Sequence, residues 1–365
     1  MEGDPRVEEY ARLLVGRCID AQPGWQVMVR SRPDARPLVQ AVARELARRG
    51  AYALLQIDFG PYATDLEWAK EAPLELVETL APAQAHVFDS LDAWISISAP
   101  EQPHEGADLP AEREQALHRA YRQFSAKRLA FEVPWVGCRF PTPTQADEAG
   151  MTPAEFTDFL YGACLLDWDA EGARMQRYKE RFDAASEVRI VGAGTDLRLG
   201  LEGRDGMVDD GHLNMPGGEF FFSPVEDATE GVVHFSEFPA VESGHECHGV
   251  RLVFEGGRVV DASADSDEEY LVSQLDADAG ARTLGELGVG CNPGIQRHVK
   301  STLFDEKIDG TVHLAIGAGF PFLGGRNESI VHWDMVKDLR PSTAGSGGQI
   351  LLDGELVQEN GHWLV

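Results

Sequence analysis

The segment ESIVHWDMVKDLR, Glu328 to Arg340, sets His332 and Asp334 inside an apolar run of Ile330, Val331, Trp333, Met335 and Val336. Such alternation reads as a β-strand, in which side chains at i and i+2 share a face. His332 and Asp334 therefore project together, while Val331, Trp333 and Met335 pack the opposite face. Burying an imidazole beside a carboxylate costs free energy unless both find partners. The segments that precede this strand contain the candidates.

The second half of the chain reads as antiparallel sheet. VRIVGAGTDLRLGLEG (188–203) and VRLVFEGGRVVDASA (250–264) are hairpin signals, the latter turning at Gly256–Gly257. QILLDGELVQENGHWLV (349–365) adds turns at Asp353–Gly354 and Asn360–Gly361. Among these strands stand further ionisable residues in apolar surroundings. MPGGEFFFSP (215–224) holds Glu219, and ARTLGELGVGCNPGI (281–295) sets Glu286 among Leu284, Leu287 and Val289. FDEKIDGTVHLAIGAGFP (304–321) holds Glu306, and His313 among Val312, Leu314, Ala315 and Ile316. A shared divalent metal site would satisfy all of these groups at once. Mixed carboxylates and imidazoles suit zinc, manganese, cobalt or iron. Each residue also has a plainer reading: Glu219 as a cap, Glu286 as the solvent-facing end of a helix. HECH (245–248) has metal-like composition, yet Cys247 has no partner cysteine nearby. His212, beside Asp209 and Asp210, reads as a loop residue, and GAGTD (192–196) lacks the following helix of a phosphate loop.

The first half alternates β and α signals. WQVMVRS (25–31) and AYALLQID (51–58) read as strands around a helix over 36–50, whose apolar stripe is Leu38, Val39, Val42 and Leu46 with Gly50 at its end. AHVFDS and AWISISA (85–99) and RLAFEVPW (128–135) read as further strands, with a helix over 112–126. This implies an α/β domain with a mainly parallel sheet. Residues 151–183 read as helical, opened by the capping box of Thr152 and Glu155 with Pro153 between them. A boundary near 184 then gives an N-terminal α/β domain over 1–184 and a C-terminal α+β metal-binding domain over 185–365, rich in antiparallel strands.

Composition narrows the function. The chain has 365 residues, with 32 basic against 61 acidic side chains and a net charge of −29. That surface repels nucleic acid and anionic lipid. No run approaches the roughly 18 apolar residues of a membrane span, and the acidic N-terminus carries no secretory signal. No nucleic-acid or membrane partner and a cytoplasmic location are therefore expected. The five cysteines are widely spaced and form no CxxC pair, which argues for isolated buried thiols.

Five segments carry a resemblance: EAGMTPAEFTDFLYGACLLDWDA, NMPGGEFFFSP, LGELGVGCNPGI, LFDEKIDGTVHLAIGAGFP and GGRNESIVHWDMVKDLR. In this order the sequence resembles the M29 metallo-aminopeptidases, the thermophilic aminopeptidase family. The resemblance implies peptide substrates, a homodimer, and two divalent ions (zinc, cobalt or manganese) in the C-terminal domain. It implies Glu219, Glu286, His313, His332 and Asp334 as ligands, with Glu306 as a sixth and Glu286 as the carboxylate that handles the proton. One difference stands out: Phe320 occupies the place of a tyrosine usual in the family. A rival uses the same residues. His313, His332 and Asp334 could form the facial triad of a mononuclear iron(II) enzyme, resembling the 2,5-dihydroxypyridine ring-opening dioxygenases.

Overall fold

The computed structural model describes residues 3–103, 105, 108–129, 131–341 and 347–364. The chain is of the α/β class, with a parallel sheet first and antiparallel sheets later. It divides into two compact units, Met1–Leu165 with Gly211–Gly217, and Leu166–Asp210 with Gly218–Val365. The helix Trp168–Asp183, which the sequence reading places in the first domain, thus lies in the second unit. The helical run over 151–183 is two helices, because it breaks after Cys164 and Asp167 caps the second through the Ala170 amide.

In the first unit five parallel strands lie in the order Tyr52–Ile57, Gln26–Ser31, Ala93–Ser98, Trp135–Arg139 and Asn214–Met215. The helix Arg36–Arg48 buries Leu38, Val39, Val42 and Leu46 and ends at Gly50. Gly50 has φ +76°, a conformation that favours glycine at a helix end. Two sequence expectations are corrected here. Residues 85–90 do not form a strand: Pro82 opens a helix, Pro82–Asp89, that buries Phe88. Nor is 128–135 a strand. The preceding helix runs to Leu129, and the strand begins at Trp135, after Pro134. Proline lacks the N–H that a central strand must donate.

The second unit holds an eight-stranded and a five-stranded sheet. The eight-stranded sheet contains the hairpins that the sequence signals: Glu187–Gly192 with Thr195–Gly200, Val250–Glu255 with Arg258–Ser263, and Gln349–Leu352 with Glu355–Glu359. The five-stranded sheet has the order His332–Asp338, Thr311–Gly317, Leu284–Gly290, Glu219–Phe222 and Met207–Asp209, antiparallel throughout. Its inward residues join those of the eight-stranded sheet in one apolar core: Val188, Ile190, Leu197 and Leu199 from one, Phe220, Leu287, Leu314 and Trp333 from the other. All five cysteines are buried and none is in a disulfide. Among the described residues no helix is long and apolar enough to cross a membrane.

Candidate metal centre

The five-stranded sheet separates apolar from ionisable side chains by strand parity. Phe220 and Phe222, Leu287 and Val289, Val312, Leu314 and Ile316, and Trp333 and Met335 all enter the core. The alternate positions carry Glu219, Glu286, His313, and His332 with Asp334. Strict alternation from Leu284 would send Glu286 into the core as well. A β-bulge prevents this. Leu284 pairs with Ile316 and Glu286 with Ala315, so Gly285 is the extra residue between them. A side chain at Gly285 could not be accommodated, since a Cβ would lie 2.2 Å from the Ala318 carbonyl oxygen. Ser223 secures this corner, donating to the Gly285 carbonyl at 3.0 Å and accepting from the Phe320 amide at 2.7 Å. Opposite His313 stands Gly288, where a Cβ would lie 2.0 Å from the imidazole Nε2. Glycine there leaves room for the ring.

Glu306 arrives from outside the sheet, directly after the short helix Thr302–Asp305. Asp305 fixes the preceding loop by accepting from the Val299 and Ser301 amides, both at 2.7 Å.

The six residues singled out in the sequence come together as two groups of three. One is Glu219, Glu306 and His313; the other is Glu286, His332 and Asp334; within each, one ligand atom per residue lies within 4.8 Å of the others. Glu286 reaches both imidazoles. Its Oε1 is 3.4 Å from His313 Nε2, and its Oε2 is 3.0 Å from His332 Nε2. His313 Nε2 also lies 3.2 Å from Glu219 Oε2, and His332 Nε2 3.7 Å from Asp334 Oδ2. His332 Nδ1 is 2.9 Å from the Ala318 carbonyl oxygen, which turns Nε2 toward the centre. Glu286 is a buried strand residue, so its reading as a helix end is corrected. His332 is not buried: its side chain remains 32% exposed, because it opens the edge strand of the sheet.

HECH belongs to neither group. His245 pairs with Asp267 at 2.6 Å and stacks on Tyr270, ring centroids 3.7 Å apart. His212 lies in a loop, 3.3 Å from Arg17.

One member of this cluster was missed by sequence reasoning, Lys307. Its side chain is fully buried, with Nζ 2.9 Å from Glu219 Oε1 and in contact with Glu306 Oε1. A lysine set among Asp305, Glu306 and Asp309 just before His313, in a chain with only six lysines, was the available signal.

The electrostatics follow from crowding. Burial pushes the Glu219 carboxyl up to about 8 against the opposing charge of Lys307. Burial also raises Asp334 to about 6, opposed by His332. For Glu286, burial is outweighed by hydrogen bonds and charge from His313 and His332, which hold it down at about 2. Both imidazoles go up to about 10: burial opposes this, but the surrounding carboxylates prevail. In this arrangement protons on the imidazoles, together with the Lys307 ammonium, hold the acids together.

A divalent ion fits these residues better than protons do. Glu219 Oε2, Asp334 Oδ1 and His313 Nδ1 are buried without a hydrogen-bond partner. The 3.2 Å approach of Glu219 Oε2 to His313 is close enough for an ion pair but not aligned as a hydrogen bond. Unsatisfied carboxylate oxygens at this depth are costly, and mixed oxygen and imidazole donors are what zinc, cobalt and manganese accept.

The fold recurs in known proteins. The structure of wild-type AmpT from Thermus thermophilus superposes with a TM-score of 0.83 at 25% identity, covering 99% of each chain. A 2,5-dihydroxypyridine dioxygenase from Pseudomonas putida KT2440 gives 0.63 at 15% identity over 98% of this chain and 97% of that one, a likeness of fold alone. In sequence, aminopeptidase T of Thermus aquaticus is 27% identical over 98% of both chains. The thermophilic metalloprotease (M29) model matches residues 3–363, so the chain belongs to that family of metallopeptidases.

Proposed function

We propose that this metallopeptidase is an aminopeptidase that releases N-terminal residues from peptides. It would hold two divalent ions (zinc, cobalt or manganese), one in Glu219, Glu306 and His313, the other in Glu286, His332 and Asp334. The observation that carries this reading is that four carboxylates and two imidazoles converge on one centre in which buried oxygens of Glu219 and Asp334 lack a hydrogen-bond partner. The aminopeptidase relatives reported above support the choice of reaction. We also propose a cytoplasmic location and, on the family resemblance, a homodimer.

Divalent ions bound there would supply Lewis acidity, polarising the scissile carbonyl and acidifying water. The chain's own residues account for the rest. Glu286, between the two imidazoles, is placed to accept the proton of the attacking water at a carboxylate oxygen. It then returns that proton to the amine nitrogen as the C–N bond breaks. The acid excess also attracts the protonated α-amino group of a peptide, which favours action at a free N-terminus. The iron(II) alternative is less well supported, because each group supplies one imidazole and two carboxylates, the reverse of a facial triad.

The test is chelation followed by add-back. Metal-free protein is expected to stop releasing residues from short peptides, and zinc, cobalt or manganese to restore release. His332→Ala should leave the fold intact and lose activity by roughly three orders of magnitude. Full peptidase activity in metal-free protein, or oxygen consumption with a dihydroxylated pyridine and iron(II), would overturn the reading.

A further inference from the structure

The two groups of candidate ligands are chemically alike but not electrostatically alike. Lys307, fully buried, sets its Nζ 2.9 Å from Glu219 Oε1 and against Glu306 Oε1, both acids of the first group. Among the described residues no lysine or arginine pairs with Glu286 or Asp334; their contacts are with His313 and His332 alone. Imidazoles can yield to a metal by shedding a proton and becoming neutral ligands. An ammonium that occupies carboxylate oxygens cannot become a ligand while charged. A divalent ion entering the first group must share its acids with Lys307 or push the ammonium aside. In a buried position the repulsion between the two cations is little screened. Asp209, buried and in register with Glu219, adds negative charge nearby. The asymmetry therefore rests chiefly on Lys307 holding the oxygens themselves.

We propose that Lys307 is a resident cation of the centre, a covalently attached competitor for the Glu219–Glu306–His313 position. The protein then has one tight divalent site, Glu286–His332–Asp334, and one labile site that fills only in excess metal. This rests on the reading of the cluster as a metal centre. It adds to that reading an order of filling and a residue that sets it.

The experiment is a calorimetric titration of chelator-stripped full-length protein with zinc and, separately, manganese. Metal content per chain is then measured after gel filtration. Two steps are expected, the first tighter by roughly 100-fold or more, with about one ion per chain surviving gel filtration. Lys307→Gln keeps hydrogen-bond donors without the charge and should tighten the second step by at least roughly tenfold, so that about two ions survive. His332→Ala should remove the tight step and spare the labile one. Two ions of equal affinity in the wild-type protein overturn the proposal but leave the metal centre standing. So does an unchanged weak step in Lys307→Gln, or loss of the weak step in His332→Ala. If Lys307→Gln does not fold, the wild-type isotherm decides alone, by one step or two. Wild-type protein that takes up no ion overturns the metal-centre reading, and this inference with it.

Discussion

Two lysines of the second unit are fully buried, and their surroundings differ. Lys337 lies on the strand that carries His332 and Asp334. Its ammonium donates to the carbonyls of Ala193 at 3.2 Å and His234 at 2.8 Å, and to Glu237 at 2.8 and 2.9 Å. One cation meets one carboxylate, and the leftover protons go to neutral acceptors. That site is closed and needs nothing more. Around Lys307 one ammonium meets two carboxylates, Glu219 and Glu306, beside a second group with two more, and a buried Glu219 oxygen and an Asp334 oxygen are left without hydrogen bonds. The same residue type thus marks a structural ion pair in one place and an under-neutralised centre in the other. A buried charge is informative only when its neighbours are counted.

Substitutions can break this contrast or sharpen it. Glu286→Gln should have the largest effect on turnover after loss of the metal. It keeps the shape and removes the proton acceptor, so kcat should fall by roughly 10²–10⁴. Near-normal kcat would move the base elsewhere, with Glu306 the next candidate. Lys337→Met should act on the fold instead. It strands the Glu237 carboxylate, which has lost its only ion-pair partner among the described residues, and should cost about 3–5 kcal/mol of stability. Bound metal per folded chain should not change; if it does, the two lysines are not separate cases. Denaturant unfolding beside metal analysis reads both.

Phe320→Tyr should have a smaller effect. The Phe320 ring packs 5.3 Å from the His332 ring, centroid to centroid. A hydroxyl there would offer a donor to charge that develops on the scissile oxygen, so kcat should rise by up to roughly 10² with KM little changed. No rise would mean that another group already provides the donor. Ser223→Ala is the mildest test. It removes the bridge between the Gly285 carbonyl and the Phe320 amide and should cost about 1–2 kcal/mol. A drop in kcat beyond the loss of stability would show that the bulge also tunes the aim of Glu286.

What could be read in the sequence depended on whether a side chain carried the signal. His332 and Asp334 declared themselves as polar residues alternating with Val331, Trp333 and Met335, and Glu219, Glu286 and His313 as ionisable residues in apolar runs, with Glu306 a few residues before His313. The structure gathers all six on one site. Their division into two groups was not legible, because it depends on which strands pair and in what register. Nor was the bulge at Gly285, since a glycine in LGELG gives no sign of which way it turns its neighbours. Lys307 was not legible either, because a lysine among the acids of FDEKID has the composition of a solvated charge run, and its burial against Glu219 depends on the fold. In the first half, 85–90 and 128–135 have strand-like composition, but Pro82 and Pro134 set the boundaries. Short apolar runs of that kind do not distinguish helix from strand by periodicity.

The bulge at Gly285 has a consequence for how the sequence can change. The strand Leu284–Gly290 is written in two interleaved alphabets, one for the core and one for chemistry, and Gly285 is the spacer that shifts the reading frame between them. Replacing one letter damages one alphabet. Giving the spacer a side chain would damage both, because a Cβ at Gly285 would lie 2.2 Å from the Ala318 carbonyl oxygen and force apart the corner that sets Leu284 and Glu286 on opposite faces. Natural variants of this chain should therefore keep a residue without a side chain at that point while the letters on either side of it change more freely.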